Sequence, residues 1–534
     1  MEIVDQIVLE NSSFVPLIVK DYLQKDTYLK DFVSQWHETN GLEKAIQNKV
    51  FDSSKRQLLV QHLRTQYQTA GITLAENSLV QTNLNTLLGL QTFTITTGHQ
   101  LSLFGGTLFM SYKILSAIKL ALELNNRFPQ NQFVPVLWLA SEDHDFDEIK
   151  TSHLFGKNIT WTKDSESMAT GKISLQDIAE TVDAIGQLLG DKEQASFWFS
   201  QIREAYLREG NLGEATLRFY HQLFEAFGLL ILDPNAKELK KALIPVMKAD
   251  LLRQETFAVQ QVSDKVLETR YKLQINARPC NFFYIDERFV RKMIKKNDAG
   301  GFSWGDTDKH WSAQEMEDMI NQYPERFSPN VNVRPVYQEM ILPNLAYFGG
   351  PAEVAYWLQL KSVFDHFQVT FPLVGLRYMN VIVPQNLQDK VVKLGLTLAD
   401  LLLSESALTE KYLKQVQGIS ISEKFESILN SMQDLVDNAK QLDVNLGKEM
   451  LEFKLQSKEF FKGKSGAFKK AAALQEEAQL EKLLKLRARL FPNGILQERI
   501  ETLMQQEASL NQAILESLLQ QVQVFSGKMD ITLS

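Results

Sequence analysis

Three carboxylates and an imidazole stand together in Glu142-Asp143-His144-Asp145. Such a group suits a metal site, a general base tuned by its neighbours, or an anchor for an ammonium group. Zinc is less attractive, because no second histidine follows at helical spacing. The plainer reading is a cap for the next helix plus surface charge, to which Asp147 and Glu148 belong. A second cluster, Gly98-His99-Gln100 with Gly105-Gly106, supplies a tight turn ahead of a helix. Backbone can approach a ligand there, and free N–H groups at the helix start favour a phosphate or carboxylate. It matches neither GxGxxG nor Walker A, so alone it reads equally well as a structural turn, with His99 a satisfied polar residue beneath it. A third cluster, Tyr347-Phe348-Gly349-Gly350-Pro351-Ala352-Glu353, again places glycines before a helix. With Arg334, Gln338 and Glu339 just upstream, it could close the opposite wall of one pocket. Tyr356 and Trp357 read as core.

These clusters need a frame. Thr92 to Thr96 is a short β-branched run, and Leu108, Ile114, Leu115, Ile118, Leu120 and Leu122 follow at helical spacing. A buried strand, Val134 to Ala140, empties into the acidic loop. Strand, helix and strand make a right-handed parallel unit, whose ligands sit outside the carboxyl ends of the strands. The first two polar clusters both lie at those ends. Gly228 fits a helix cap before the strand Leu229 to Leu232, which stops at Asp233-Pro234. Core character returns at Val331 to Glu339. Pro351 at a first helical position, with Glu353 in the first turn, starts another helix, and Phe371 to Arg377 reads as the last core strand.

The expected organisation is α/β with three parts. Residues 1–90 are a helical lead-in, with stripes at Phe14, Leu17, Ile18, Tyr22 and at Leu58, Leu59, Leu63, Tyr67. Residues 91–385 form a parallel-sheet core with insertions near 151–200 and 270–325. The first insertion carries a hairpin in Gly156 to Gln176, and the second short strands with a turn at Asp298-Ala299-Gly300-Gly301. Residues 386–534 are helical: Phe425, Ile428, Leu429, Met432, Leu435, Val436 and Ala439 repeat at three and four. Phe491-Pro492-Asn493-Gly494 breaks the pattern, and a second run from Leu496 to about Val524 completes an antiparallel coiled-coil arm. Lys448 to Lys470 holds seven lysines against three glutamates, which reads as a solvated helix face.

With 534 residues, 44% hydrophobic and 23% charged, the chain can bury a sizeable core. A formal charge of −8 argues against a nucleic-acid binder that depends on a basic field. Met1-Glu2-Ile3-Val4-Asp5 has no basic segment followed by an apolar one, so no secretory signal is expected. No membrane span is expected either. The single cysteine, Cys280, excludes an intrachain disulfide and reads as a packed small residue in a cytoplasmic protein.

Thr97-Gly98-His99-Gln100 with Gly105-Gly106, and Pro135 to Asp145, resemble the bacillithiol-biosynthesis cysteine-adding enzymes, the cysteine ligases called BshC. The resemblance continues through Ser328-Pro329-Asn330-Val331, Arg334-Pro335, Leu342-Pro343-Asn344, Ala346 to Glu353 and Phe491 to Arg499, and so covers essentially the whole chain. It implies a Rossmann-like core with two connecting-peptide insertions and a coiled-coil domain that makes a homodimer. The implied reaction joins L-cysteine by an amide bond to the amino group of glucosaminyl malate, the last step of bacillithiol synthesis. One departure is His99, where many members carry Gln, so Gly98 and Gln100 are the safer positions.

On that resemblance the pocket centre is Gly98, Gln100, Asp143 and His144, lined by His99, Glu142, Asp145, Asn344, Tyr347, Gly349, Gly350 and Glu353. Asp143 or His144 would accept the proton of the attacking amine. Backbone amides at Gly98 and Gly105-Gly106 would hold phosphate or carboxylate, and Arg334 or Arg377 would pair with a carboxylate. A free carboxylate needs activation, as an adenylate or acyl phosphate, so ATP with Mg²⁺ is expected and a resident metal is not. Two other readings remain open: a metal-dependent hydrolase built on Glu142-Asp143-His144-Asp145, and a non-catalytic scaffold acting through the coiled coil.

Overall fold

The computed structural model describes residues 1–165, 167–297, 300–305, 310–417 and 421–534. Five strands buried along nearly their whole length need cover on both faces, and they form one parallel sheet. They are β1 (Thr92–His99), β2 (Gln132–Leu139), β3 (Leu230–Leu232), β4 (Asn344–Gly349) and β5 (Leu373–Leu376), in the spatial order β5-β4-β1-β2-β3. Strand order therefore reverses between β1 and β4, and such a switch point opens a crevice at the strands' carboxyl ends. Helix α1 (Leu108–Arg127) joins β1 to β2 and buries Ala117, Leu120, Ala121 and Leu124 against Phe93, Ile95, Phe133 and Phe348. The β1–β2 register sets Gly98 beside Trp138, where a Cβ on Gly98 would lie 3.3 Å from Trp138 Cβ.

Both expected insertions are present. The hairpin of the first is Thr151–Leu154 with Lys157–Thr160, turning at Phe155-Gly156. It lies earlier than the expected Gly156 to Gln176, with Phe155 and Gly156 both at positive φ, 50° and 76°, in its turn. Helices Ala179–Leu189, Glu193–Tyr206 and Leu212–Phe224 follow, and Gly228 takes the left-handed cap conformation, φ 69°. The second insertion is an antiparallel sheet of Phe282–Ile285, Arg291–Lys296, Phe302–Trp304, His310–Trp311 and Phe327–Pro329. Of its expected turn, Gly300 has φ 80°, while Asp298 and Ala299 lie outside the described residues.

The chain divides into two compact units, one holding Ile7–Met379 and Glu498–Met529, the other Glu2–Gln6, Asn380–Gln497 and Asp530–Ser534. The lead-in is helical at Leu17–Leu23 and Ser53–Thr69, but it opens with a strand, Glu2–Val8, that was expected as helix. That strand sits in a three-stranded sheet with Lys528–Leu533 and Met379–Val383. Partners so distant in sequence leave no local signal. In the second unit, helices Ile421–Leu442 and Val444–Gln475 are joined at Asp443, whose side chain caps Asn445 and Leu446. Phe425 stacks on Phe461 with ring centroids 4.5 Å apart, which fixes their antiparallel sense. The run from Leu496 to Val524 does not extend this hairpin as expected. It breaks into Leu503–Leu510 and Leu515–Gln521 around Asn511, φ 50°, and packs within the first unit.

Candidate active site

A cavity of about 600 Å³ opens at the carboxyl ends of β1, β2 and β4, at the switch point. Gly98, His99 and Gln100 enter it from β1, Glu142 to Asp145 from β2, and Tyr347, Gly350 and Glu353 from β4 and the helix after it. Two stretches separated by more than two hundred residues thus share one site.

The acidic loop is built from its own hydrogen bonds. Asp143 Oδ1 accepts the backbone N–H of His144 at 2.8 Å, and Oδ2 accepts Gln100 Nε2 at 2.8 Å. The same Gln100 amide donates to Glu148 Oε2 at 2.8 Å, so Glu148 helps hold the loop. Burial works against an ionised Asp143, but contacts with His144, the Arg291 guanidinium and the Gln100 amide hold its carboxyl far below the usual range. A carboxylate so stabilised is a poor base. Glu142 is occupied: Lys240, on helix α2 (Lys237–Lys240), is fully buried and donates to both its oxygens, at 2.6 and 2.8 Å. Ser328 Oγ donates to Glu142 Oε2 at 3.1 Å, tying the loop to the second insertion.

The facing wall has the same logic. Lys113, buried on α1, donates to the Gly98 carbonyl and to both oxygens of Glu353, at 2.9 and 2.8 Å. Glu353 also accepts the Gly350 N–H at 2.8 Å and the Tyr347 hydroxyl at 2.7 Å. It thereby caps helix α4 (Pro351–Gln359), with α3 (Arg334–Ile341) upstream of β4. Burial opposes ionisation of Glu353, yet Lys113 and these donors pull its carboxyl down to about 2. His99 packs edge-on against Phe109, and burial together with Lys113 lowers its imidazole to about 3. Its ring is neutral at neutral pH.

Five arginines also line the cavity: Arg278, Arg291, Arg334, Arg377 and Arg499. Arg377 Nη1 and Nη2 are committed to Glu498, at 2.8 and 2.5 Å, while its buried Nε has no partner. Arg334 gives Nη1 to Gln338 Oε1 at 3.0 Å and keeps a buried, unpartnered Nη2. Tyr356, expected in the core, instead lines the cavity and contacts Arg334, whereas Trp357 is fully buried as expected.

Other expected site residues lie elsewhere. Gly105, φ 88°, packs against Phe219 and its carbonyl accepts the Tyr220 hydroxyl at 3.0 Å. The Gly106 N–H is bonded to the Leu103 carbonyl at 3.1 Å, and the first N–H of α1, at Leu108, to the Glu501 carbonyl at 2.8 Å. These amides are therefore not available to an anion. Asn344 is buried inside the sheet, accepting Thr96 Oγ1 at 2.7 Å and donating to Glu339 at 2.6 Å. Gly349 serves through its carbonyl, which accepts the Arg377 N–H at 2.9 Å. Arg291, Lys240, Lys113 and Glu498 were not anticipated. Lys113 carries one sequence signal, a charge inside an apolar helical stretch, whereas Lys240 sits among Lys237, Glu238 and Lys241, and Arg291 among lysines, so both look like surface residues.

Asp143, His144 and Asp145 bring potential ligand atoms within 4.8 Å of one another. They do not fit a resident cation. The Asp143 oxygens already accept three donors, and the Arg291 guanidinium lies 3.0 Å from His144 Nδ1, placing a fixed positive charge beside the cluster.

A reversed parallel sheet with a crevice at the carboxyl ends of its strands defines a Rossmann-like protein. Residues 3–378 match the family model described as bacillithiol biosynthesis BshC, N-terminal Rossmann-like domain, and residues 380–533 that of the BshC C-terminal coiled-coil domain. A protein of Flavobacterium johnsoniae named "Putative cysteine ligase BshC" is 34% identical over 500 residues, covering 93% of each chain. One of the same name from Flavobacterium psychrophilum is 35% identical, again over 93% of each, and one from Staphylococcus aureus 26% identical over 87% of this chain and 85% of its own. The chain belongs to the BshC family of bacillithiol biosynthesis. Among the described residues, no helix is long and apolar enough to cross a membrane.

Proposed function

We propose that this chain is a ligase that joins L-cysteine by an amide bond to the amino group of glucosaminyl malate, the last step of bacillithiol biosynthesis. One observation carries the reading: a single cavity is lined both by the arginines Arg278, Arg334, Arg377 and Arg499 and by the acidic loop around Asp143. Glucosaminyl malate has matching parts, carboxylates at one end and an amine at the other. Each charge-assisted bond to a carboxylate is worth about 1.5–3 kcal/mol. The names of the relatives support cysteine as the group joined.

In this reading MgATP is a co-substrate, supplying the phosphoryl or adenylyl group that activates the cysteine carboxyl. Gln100 and Asp143 orient the amine, and closure of the site against water falls to the second insertion, which contributes Phe283 and Arg291. The protein acts in the cytoplasm as a homodimer through the coiled coil, whose Leu435, Phe453, Leu455, Phe460 and Phe468 are exposed apolar side chains.

The test is mass spectrometry of the purified chain incubated with cysteine, glucosaminyl malate, ATP and Mg²⁺, each omitted in turn. A bacillithiol mass that requires ATP is expected. Cells lacking the gene should also lack bacillithiol; undiminished bacillithiol in them would overturn the assignment.

A further inference from the structure

The environment of His144 is more specific than an acidic loop requires. Arg291 Nη1 lies 3.0 Å from His144 Nδ1. The guanidinium cannot turn away, because Nε donates to Ser328 Oγ at 3.0 Å and Nη2 to the Pro329 carbonyl at 3.2 Å. Its Cζ also sits 3.9 Å above the Phe283 ring, and the side chain is buried. Guanidinium nitrogens have only hydrogens to offer, so Nδ1 must be the acceptor. A proton on Nδ1 would face the Arg291 N–H. The other polar groups around the ring lie farther off: Asp143 Oδ1 is 3.7 Å from Nδ1, and Asp145 Oδ1 is 3.9 Å from Nε2. Neither is within normal hydrogen-bond reach.

We propose that Arg291 is a positioning residue that fixes the proton of His144 on Nε2, so that His144 enters the reaction as a hydrogen-bond donor and not as the base. The orientation of one ring nitrogen is set by the bond the other makes. The donor Nε2–H belongs to a residue that lines the cavity. Its fitting acceptor is an oxygen of the carboxyl group under attack, where negative charge builds up during acyl transfer. This role rests on the ligase reading; the tautomer itself does not. The second insertion is thereby part of the chemistry, since it supplies both Arg291 and the Ser328 and Pro329 groups that hold it.

The experiment is a long-range ¹H–¹⁵N correlation spectrum of the full chain labelled with ¹⁵N-histidine, with His144 assigned by the signals lost in His144→Gln. Near neutral pH, Nε2 should be protonated and Nδ1 bare. In Arg291→Leu the pattern should move toward a mixture of tautomers. A protonated Nδ1 in the wild type overturns the proposal, and so does an unchanged His144 pattern in folded Arg291→Leu. If that variant does not fold, the wild-type spectrum alone decides. A functional readout follows: Arg291→Lys should depress kcat about 10-fold or more with a smaller change in KM, because a donor stabilises the developing charge more than the ground state. Failure of the ligase reading would remove the activity and leave the spectrum as described, so the two failures are distinguishable.

Discussion

Arg377 and Glu498 form a two-pronged ion pair, Nη2 to Oε1 at 2.5 Å and Nη1 to Oε2 at 2.8 Å, with side chains 1% and 0% exposed. The pair ties the end of β5 to the segment that returns after the coiled coil. It also leaves Arg377 only Nε for a ligand. Removing one partner strands a buried charge, which costs about 3–5 kcal/mol. Glu498→Ala should therefore lower the unfolding midpoint of the first unit substantially. All seven tryptophans lie in that unit, so their fluorescence reports on it directly.

Arg334 makes no ion pair among the described residues, and its guanidinium lies over Trp138 and Tyr347, at 5.6 and 5.7 Å from their ring centroids. It is the more available of the two cationic anchors. Arg334→Met keeps much of the stacking volume and removes the donor. Affinity for glucosaminyl malate, measured by calorimetry, should fall about 10- to 100-fold, the equivalent of one lost charge-assisted bond. Unchanged affinity would place the carboxylates elsewhere in the cavity.

Asp250 accepts the Asn281 backbone N–H at 2.7 Å and the Asn281 side-chain amide at 2.8 Å, at the base of the second insertion. Burial raises its carboxyl to about 6, above the roughly 3.9 of an unfolded chain. The folded state thus binds its proton more tightly, and the group's contribution is fully favourable below about pH 4 and declines as pH rises to about 6. The decline amounts to about 3 kcal/mol. Denaturation midpoints of Asp250→Asn should fall less steeply than those of the wild type across that window; equal slopes would contradict this assignment.

Gly349 and Gly350 are adjacent but not equivalent. A Cβ on Gly349 would sit 2.6 Å from Glu353 Cβ, inside the packing of the helix cap. At Gly350 the nearest atom would be Glu353 Oε2 at 3.5 Å, with Arg377 Nε at 3.8 Å, and φ is an ordinary −72°. Gly349→Ala should therefore lower thermal stability, by about 1–3 kcal/mol. Gly350→Ala should fold normally and weaken ligand binding, because its methyl would stand beside the unpartnered Arg377 donor. Equal thermal shifts in the two variants would contradict the contrast.

Much of this site follows from local sequence. Gly98-His99-Gln100 and Asp143-His144 stand at strand ends because a strand-helix-strand pattern must place them there. Pro351 and Glu353 announced the start of α4 by ordinary capping rules. The helical character of the arm was visible as a three-four repeat, which needs only neighbouring turns of helix to declare itself, but its turn at Asp443 was not. The strand Glu2–Val8 was not, since its pairing partner, Lys528–Leu533, lies at the far end of the chain.

Chain sequence by itself determined the parallel frame, the two insertions, and which end of the sheet carries polar residues, because periodicity and turn chemistry act over a few residues. Only the tertiary structure decided how charge is distributed among those residues. It assigned Glu142 to Lys240, Glu353 to Lys113 and Arg377 to Glu498, and set Arg334 beside Gln338 and Arg291 beside His144. Such pairings depend on which side chains share a low-dielectric interior, and residues 98 to 240 positions apart meet there only after the chain has folded.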